Sequence, residues 1–279
     1  LPYTYRLTGG PDLTVSVTVD QTNEFTRITN VTGTVTGSEY PDEWIILGAH
    51  HDAWGFGATD PNSGTAMLLT LAESLGELLS DDYRPKRSIM IAHWDAEEFM
   101  LIGSSEWVEE LKEELHANAI LYLNADMSVT GPNFRASASP SLKKAIMEAT
   151  KAVTHPDTDS SVYESWIRPG QEEPGIGNLG GGSDHVGLYM HAGVPSAGIS
   201  ISGSVPIYHS NYDSFHFYET LIDSTFQYGP TLAGVYGVTA LRFANADVLP
   251  YDLHRYATDI SSHVKAIGKR AEELDRDIE

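Results

Sequence analysis

Trp44-Ile45-Ile46-Leu47-Gly48-Ala49-His50-His51-Asp52 is the stretch on which the fold turns. Its apolar run shows no alternation with polar residues, so it reads as a strand covered on both faces, and it breaks off into two histidines and an aspartate. Three more runs behave alike: Ser88 to Ala92, Ala119 to Asn124 and Pro195 to Ile201. Between them, Ser63 to Leu79, Gly103 to Leu115 and Ser141 to Val153 carry apolar residues at helical spacing. Strands alternating with helices predict an α/β fold, a three-layer αβα sandwich around a mixed central sheet. Upstream, Thr14 to Asp20 and Arg27 to Thr36 alternate in the manner of an antiparallel edge hairpin. Glu164 to Ser183, with six glycines and two prolines, predicts a long surface loop of a kind that is often functional. Leu253 to Ile278 reads as a charged amphipathic helix whose apolar side needs a partner.

The chain of 279 residues is 41% hydrophobic, with five Trp and 14 Tyr, enough to bury one substantial core. Its 39 acidic against 17 basic residues give a net charge of -22, which argues against nucleic acid or an anionic membrane surface as partner. Cysteine is absent, so any metal must be held by His, Asp and Glu. No run approaches the roughly 18 apolar residues of a membrane span. Asn30-Val31-Thr32 is a glycosylation sequon, a pattern that also arises often by chance.

In open α/β sheets ligands bind at the carboxyl ends of strands, and here those ends are uniform in type. The first delivers His50, His51 and Asp52, with Asp60 following before the next helix. The second delivers Asp95, Glu97 and Glu98, the third Asp126, and the fourth, after a short turn, Tyr208 and His209. Each has a plain structural reading when taken singly. Asp60 and Ser63 suit a helix cap, Glu97-Glu98 suit a helix amino terminus, and a lone histidine is most often a satisfied core group. Taken together, carboxylates clustered in an acidic protein repel one another unless a cation neutralises them. Histidine plus carboxylate selects zinc, or manganese or cobalt by the same logic. Of two adjacent glutamates, one can bind metal while the other serves as general base.

These stretches resemble the glutamate carboxypeptidase II and transferrin receptor family of two-zinc metallopeptidases. Gly48 to Trp54 with Asp60 to Gly64 is similar to its first zinc motif, and Trp94 to Phe99 with Gly103-Ser104 to its second. Asn124-Ala125-Asp126 is similar to the third and Tyr208-His209-Ser210 to the fourth, in order, from about Tyr5 to Pro250. The resemblance implies a zinc-exopeptidase fold with two Zn2+ per chain. Asp60 would bridge the ions, His50 and Asp126 would complete one site, and Glu98 and His209 the other. Asp52 would orient His50 from behind. Glu97 would take a proton from a metal-bridging water and pass it to the leaving amine, and Tyr208 would donate to the oxyanion. The reaction would be hydrolysis of a terminal bond in a peptide or dipeptide, by an aminopeptidase, carboxypeptidase or dipeptidase.

The resemblance further implies a catalytic domain over residues 1–245, without an upstream segment and an apical insertion, and the beginning of a helical domain over 246–279 through which homodimers form. It implies an extracytoplasmic setting, secreted, periplasmic or as a membrane-tethered ectodomain. It also suggests structural Ca2+ near Glu106 and Glu109, although an exposed acidic pair on a helix is the simpler reading. His51, His93, His185 and His191 are not family ligands; His185, near the rim, suits packing or substrate contact. Ser196 to Ile201 lacks the arginines with which acid-cleaving members attract acidic side chains, so it has no means of selecting glutamate or aspartate. Because every ligand lost in the receptor branch is present, an enzyme is favoured over a non-catalytic receptor-like binding domain. A zinc amidohydrolase acting on a non-peptide amide is the third reading.

Overall fold

The computed structural model describes residues 9–274. In chain order its elements are β1 (Val31–Val35), β2 (Tyr40–His50), α1 (Asn62–Ser80), β3 (Arg87–Trp94), α2 (Ile102–Glu110), α3 (Lys112–Asn118) and β4 (Ala119–Asn124). Then follow β5 (Asn133–Ala138), α4 (Pro140–Thr150), α5 (Val162–Trp166), β6 (Ser196–Ser202), α6 (Phe215–Phe217), α7 (Tyr228–Asn245) and α8 (His254–Glu273). The sheet is ordered β1-β3-β2-β4-β6-β5. Its inner four strands are mutually parallel, and β1 and β5 run antiparallel at the edges. The parallel strands therefore present their carboxyl ends to one rim.

Neighbouring residues of the central strands feed different cores. Ile45, Leu47, Leu121 and Leu123 pack with Leu68 and Leu71 of α1 and Val235 and Phe243 of α7, whereas Ile46, Trp94 and Tyr122 pack with Val108, Leu115 and Leu188. Burial on both faces explains the unalternating apolar runs, each large side chain adding about 1.5–3 kcal/mol. The mixed αβα sandwich expected from the sequence is the architecture found. No helix among the described residues is long and apolar enough to cross a membrane.

Several local expectations need correction. Thr14 to Asp20 forms no strand; Val15, Val17 and Val19 are exposed, and β1 pairs with β3 instead of an upstream hairpin partner. An alternating segment with no layer to cover it gains too little to order itself. The helix expected over Gly103 to Leu115 is two helices, α2 and α3, broken at Leu111. The Gly-rich stretch is a loop apart from its start in α5. The carboxy-terminal amphipathic stretch is α8, whose Asp259 binds the buried Lys143 at 2.6 Å; residues 275–278 of that expected helix lie outside the described residues. The Asn30 side chain is occupied on both sides, accepting from Asp95 N–H and donating to the Gly103 carbonyl, so a glycan there would break both bonds.

Gly48 marks how closely the layers approach. A Cβ there would lie 2.4 Å from the Tyr122 hydroxyl and 2.6 Å from Trp94 Nε1. Gly48→Ala should lower stability by about 1–3 kcal/mol, read as a shifted urea midpoint, because both neighbours are fully buried. An unchanged midpoint would contradict this packing.

Candidate metal centre

The rim gathers the candidate ligands into two groups. His50, Glu97 and Asp126 form one, and Asp60, Glu98 and His209 the other, the ligand atoms of each lying within 4.8 Å of one another. His50 ends β2, Glu97 and Glu98 occupy the turn after β3, Asp126 follows β4, and His209 lies in the loop after β6. Asp60 stands between the groups. Its Oδ1 lies 3.3 Å from His50 Nε2 and its Oδ2 3.1 Å from His209 Nε2. Each histidine has a second carboxylate of its own, Asp126 at 3.2 Å from His50 and Glu98 at 3.0 Å from His209. The helix-capping alternatives are not realised. No side chain caps α1, whose Ser63 hydroxyl donates to Thr59 O, and α2 begins beyond Glu97-Glu98 with no acid in its first turn.

Main-chain donors fix these groups in place. The Asp52 carboxylate accepts the N–H groups of Glu97 (3.0 Å) and Glu98 (3.2 Å), tying the turn after β3 to the end of β2. His50 Nδ1 donates to the Asp52 carbonyl at 3.0 Å, with the Asp52 carboxylate 3.4 Å away, which leaves Nε2 facing the acids. Asp213 does the same for Asp60, accepting from Thr59 N–H (2.9 Å) and Asp60 N–H (3.1 Å). Asp126 is held by a chain with a fixed direction. Trp94 Nε1 can only donate, so Tyr122 accepts from it and donates to Asn124 Oδ1; Asn124 Nδ2 donates to Ser183 Oγ, and Ser183 donates to Asp126 Oδ2 at 2.6 Å. The sequence reading found Asp52 but not Ser183 or Asp213. Their role lies in hydrogen bonds across 57 and 153 residues of chain, and neither is distinguished by ligand chemistry.

The charges around the rim are mutually perturbed. Burial lowers the His50 imidazole, but Asp126, Asp52 and Asp60 outweigh it and raise the ring well above its ordinary value. Burial pushes Glu97 up to about 8, with His50 opposing and Asp126, Asp184 and Glu98 adding to the rise. Burial raises Glu98 as well, reinforced by Asp60. Tyr208, its ring stacked on His209 at 3.7 Å, is raised to about 12 by burial and by Asp60 and Glu98. The buried Asp60 Oδ1 has no hydrogen-bond partner. A buried carboxylate oxygen without a hydrogen bond, among acids and imidazoles and with no thiol, fits a hard-to-borderline divalent cation such as zinc.

The model of peptidase family M28 matches residues 30–226. The chain belongs to that family. It is 43% identical to a probable glutamate carboxypeptidase LAMP1 of Arabidopsis thaliana over 90% of this chain and 36% of the relative. It is 34% identical to the aminopeptidase NAALADL1 of Mus musculus, again over 90% of this chain and 36% of that one. The chain thus spans about a third of the length of these M28 relatives. Among solved structures it is similar to an aminopeptidase from Aneurinibacillus sp. strain AM-1, with TM-score 0.60 and 22% identity over 79% of this chain and 49% of that one. The zinc aminopeptidase BSAP of Bacillus subtilis gives TM-score 0.58 and 21% identity over 80% and 52% of the two chains. At these identities the structures speak for the M28 fold alone.

Other expected residues stand apart from the centre. Glu106 and Glu109 lie exposed on α2, and among the described residues no third ligand converges with them, so the calcium expectation finds no support. His51 bonds to the Thr29 carbonyl and the buried His185 to the Gly180 carbonyl.

Two outcomes follow from this geometry. Ser183→Ala should weaken zinc binding about 10–100-fold in a competitive chelator titration while the fold persists; unchanged affinity would detach the hydrogen-bonded chain from the centre. Glu97 and His50 bind protons more tightly in the fold than unfolded. In the metal-free protein the stability Glu97 contributes is therefore full below 4.5, the ordinary glutamate value, and falls as pH rises toward about 8, while that of His50 is full below 6.5, the ordinary imidazole value, and falls only above it. Zinc displaces those protons, so the rise in thermal midpoint on adding zinc should be larger near pH 8 than near pH 5.5. Equal rises would place the ions elsewhere.

Proposed function

We propose that the chain is the catalytic part of a two-zinc exopeptidase, with His50 and Asp126 holding one ion, Glu98 and His209 the other, and Asp60 both. The observation that carries the reading is the division of Asp60, one oxygen toward each histidine. Bound zinc would polarise the scissile carbonyl and make an attacking water more acidic. The protein supplies the proton handling and the fixed dipoles. Glu97, buried and anchored through its N–H to Asp52, takes the proton from the attacking water and returns it to the departing amine. Tyr208 keeps its proton at neutral pH and donates to the carbonyl oxygen as charge develops there.

A cleft of about 320 Å³ adjoins Asp60 and Asp126 and is lined also by Ser128, Ser200 and Tyr208, with no Lys or Arg. Such a lining suits a substrate's free amine better than its terminal carboxylate, which supports release of an amino-terminal residue. The same resemblance supports residues 246–279 as the start of a helical dimerisation domain, since Ile260, Val264 and Ile267 form an exposed row on α8.

Glu97→Gln should cut turnover of unblocked dipeptides about 10²–10⁴-fold with two zinc ions retained. Activity within about twofold of the parent, judged against the range expected for losing a general base, would remove Glu97 from the reaction. Turnover of amino-blocked but not unblocked dipeptides would reverse the assigned direction.

A further inference from the structure

Lys143 of α4 is a charged group only 3% exposed, in a chain with 17 basic residues against 39 acidic ones. A buried ion pair is a poor source of stability, since apolar residues of similar volume often do as well, and its best-attested use is to select one arrangement among several. Here the arrangement is that of the glycine-rich loop against α8. The Lys143 ammonium donates to Asp259 Oδ2 of α8 and to Asn178 Oδ1 of the loop, each at 2.6 Å. Lysine can only donate, so the Asn178 amide turns its oxygen to Lys143, and its Nδ2 donates to His263 Nε2 at 3.1 Å, a turn further along α8. Arg255 completes the set, pairing with Asp259 at 2.8 Å and with Glu173 of the loop at 3.2 Å. Arg255, Asp259 and His263 recur at four-residue spacing, so one side of α8 is given over to the loop.

A short path leads from this anchor to the metal centre. Gly177 is joined to β5, its N–H donating to the Ala136 carbonyl at 2.9 Å and its carbonyl accepting from Ala138 N–H at 3.1 Å. Further along, Ser183 accepts from Asn124 and donates to Asp126. The span between Asn178 and Ser183 contains Gly180, Gly181 and Gly182, the last with φ of 88° and lining the cleft beside Asp60 and Asp126. Glycines have the most backbone freedom to lose, so such a span keeps one shape only when both of its ends are held.

We propose that α8 clamps the glycine-rich loop through Lys143 and Asn178, and that this clamp keeps Ser183 where it holds Asp126 for its ion. Lys143 and Asn178 are thus positioning residues for the ion at His50 and Asp126, and α8 acts on the centre without touching it. This rests on the two-zinc reading. Asp60 and Glu98 are held from elsewhere, through Asp213 and Trp54, so the ion at Glu98 and His209 should not feel the clamp.

The test is a competitive chelator titration of the zinc-loaded full chain that resolves the two ions. It compares the parent with Lys143→Met, Asn178→Ala, Ser183→Ala and the double variant Asn178→Ala, Ser183→Ala. Asn178→Ala leaves Lys143 paired with Asp259, so it stands whether or not Lys143→Met folds. Lys143→Met and Asn178→Ala should each weaken one ion about 3–10-fold, the same ion that Ser183→Ala weakens, and leave the other unchanged. The double variant should lose no more affinity than Ser183→Ala alone, because the clamp acts through that hydroxyl. Unchanged affinity, equal weakening of both ions, or losses that multiply in the double variant would overturn the proposal. Amide hydrogen exchange of the metal-free chain is measured in parallel, and residues 179–183 should exchange faster in Asn178→Ala; unchanged exchange there would also overturn it. A parent that holds fewer than two ions would defeat the two-zinc reading alone, with the exchange result still deciding the clamp.

Discussion

Four carboxylates, Asp60, Glu97, Glu98 and Asp126, converge with two histidines at one rim of the sheet, and their mutual repulsion is the constraint to which the surrounding structure answers. Two like charges about 4 Å apart repel by about 4 kcal/mol at the effective dielectric of a protein surface. Imidazoles alone offset part of this, and a bound divalent cation would offset more. The fold contributes the geometry. Asp52 and Asp213 each collect two main-chain N–H groups, and the chain from Trp94 to Ser183 spends its last proton on Asp126. Each device holds an acid where it would not otherwise stay.

The sheet makes that convergence reachable. Parallel inner strands bring loops from distant parts of the chain to one edge, and α7 locks two of the strand ends together. The Tyr236 hydroxyl lies between the carbonyls of Asn124 and Ile199, at 2.5 and 2.9 Å, so β4 and β6 are tied just below the rim. Backbone strain is concentrated at the same rim. Of the seven non-glycine residues with positive φ among those described, Ala96, Met100, Leu101 and His209 belong to the two loops bearing Glu97, Glu98 and His209. The rigid layers carry strain that an isolated loop would release.

The four inner strands were legible because burial on both faces leaves an unbroken apolar run, as at Ile45 to Leu47. The ligand set was legible because histidine and carboxylate side chains carry their chemistry in their type. What escaped the sequence depends on neighbours. Asn133–Ala138 is an edge strand whose inward residues are Phe134, Ala136 and Ala138, too small and too few to read as a strand. Tyr228–Asn245 is buried around much of its circumference and rich in small residues, so no stripe marks it as a helix. Val15, Val17 and Val19 alternate well yet have no layer to cover them. Ser183 and Asp213 act through partners far away in the chain, and the left-handed backbone at Met100 follows from the closing of its turn.

The claim on which the account stands is that one carboxylate joins two ions. Anomalous scattering measured on both sides of the zinc absorption edge, from crystals of the zinc-loaded chain, tests it directly. The account predicts two peaks about 3.5–4 Å apart with Asp60 between them, one beside His50 and one beside His209. A single peak, or two peaks with Asp60 bound to only one, would contradict it.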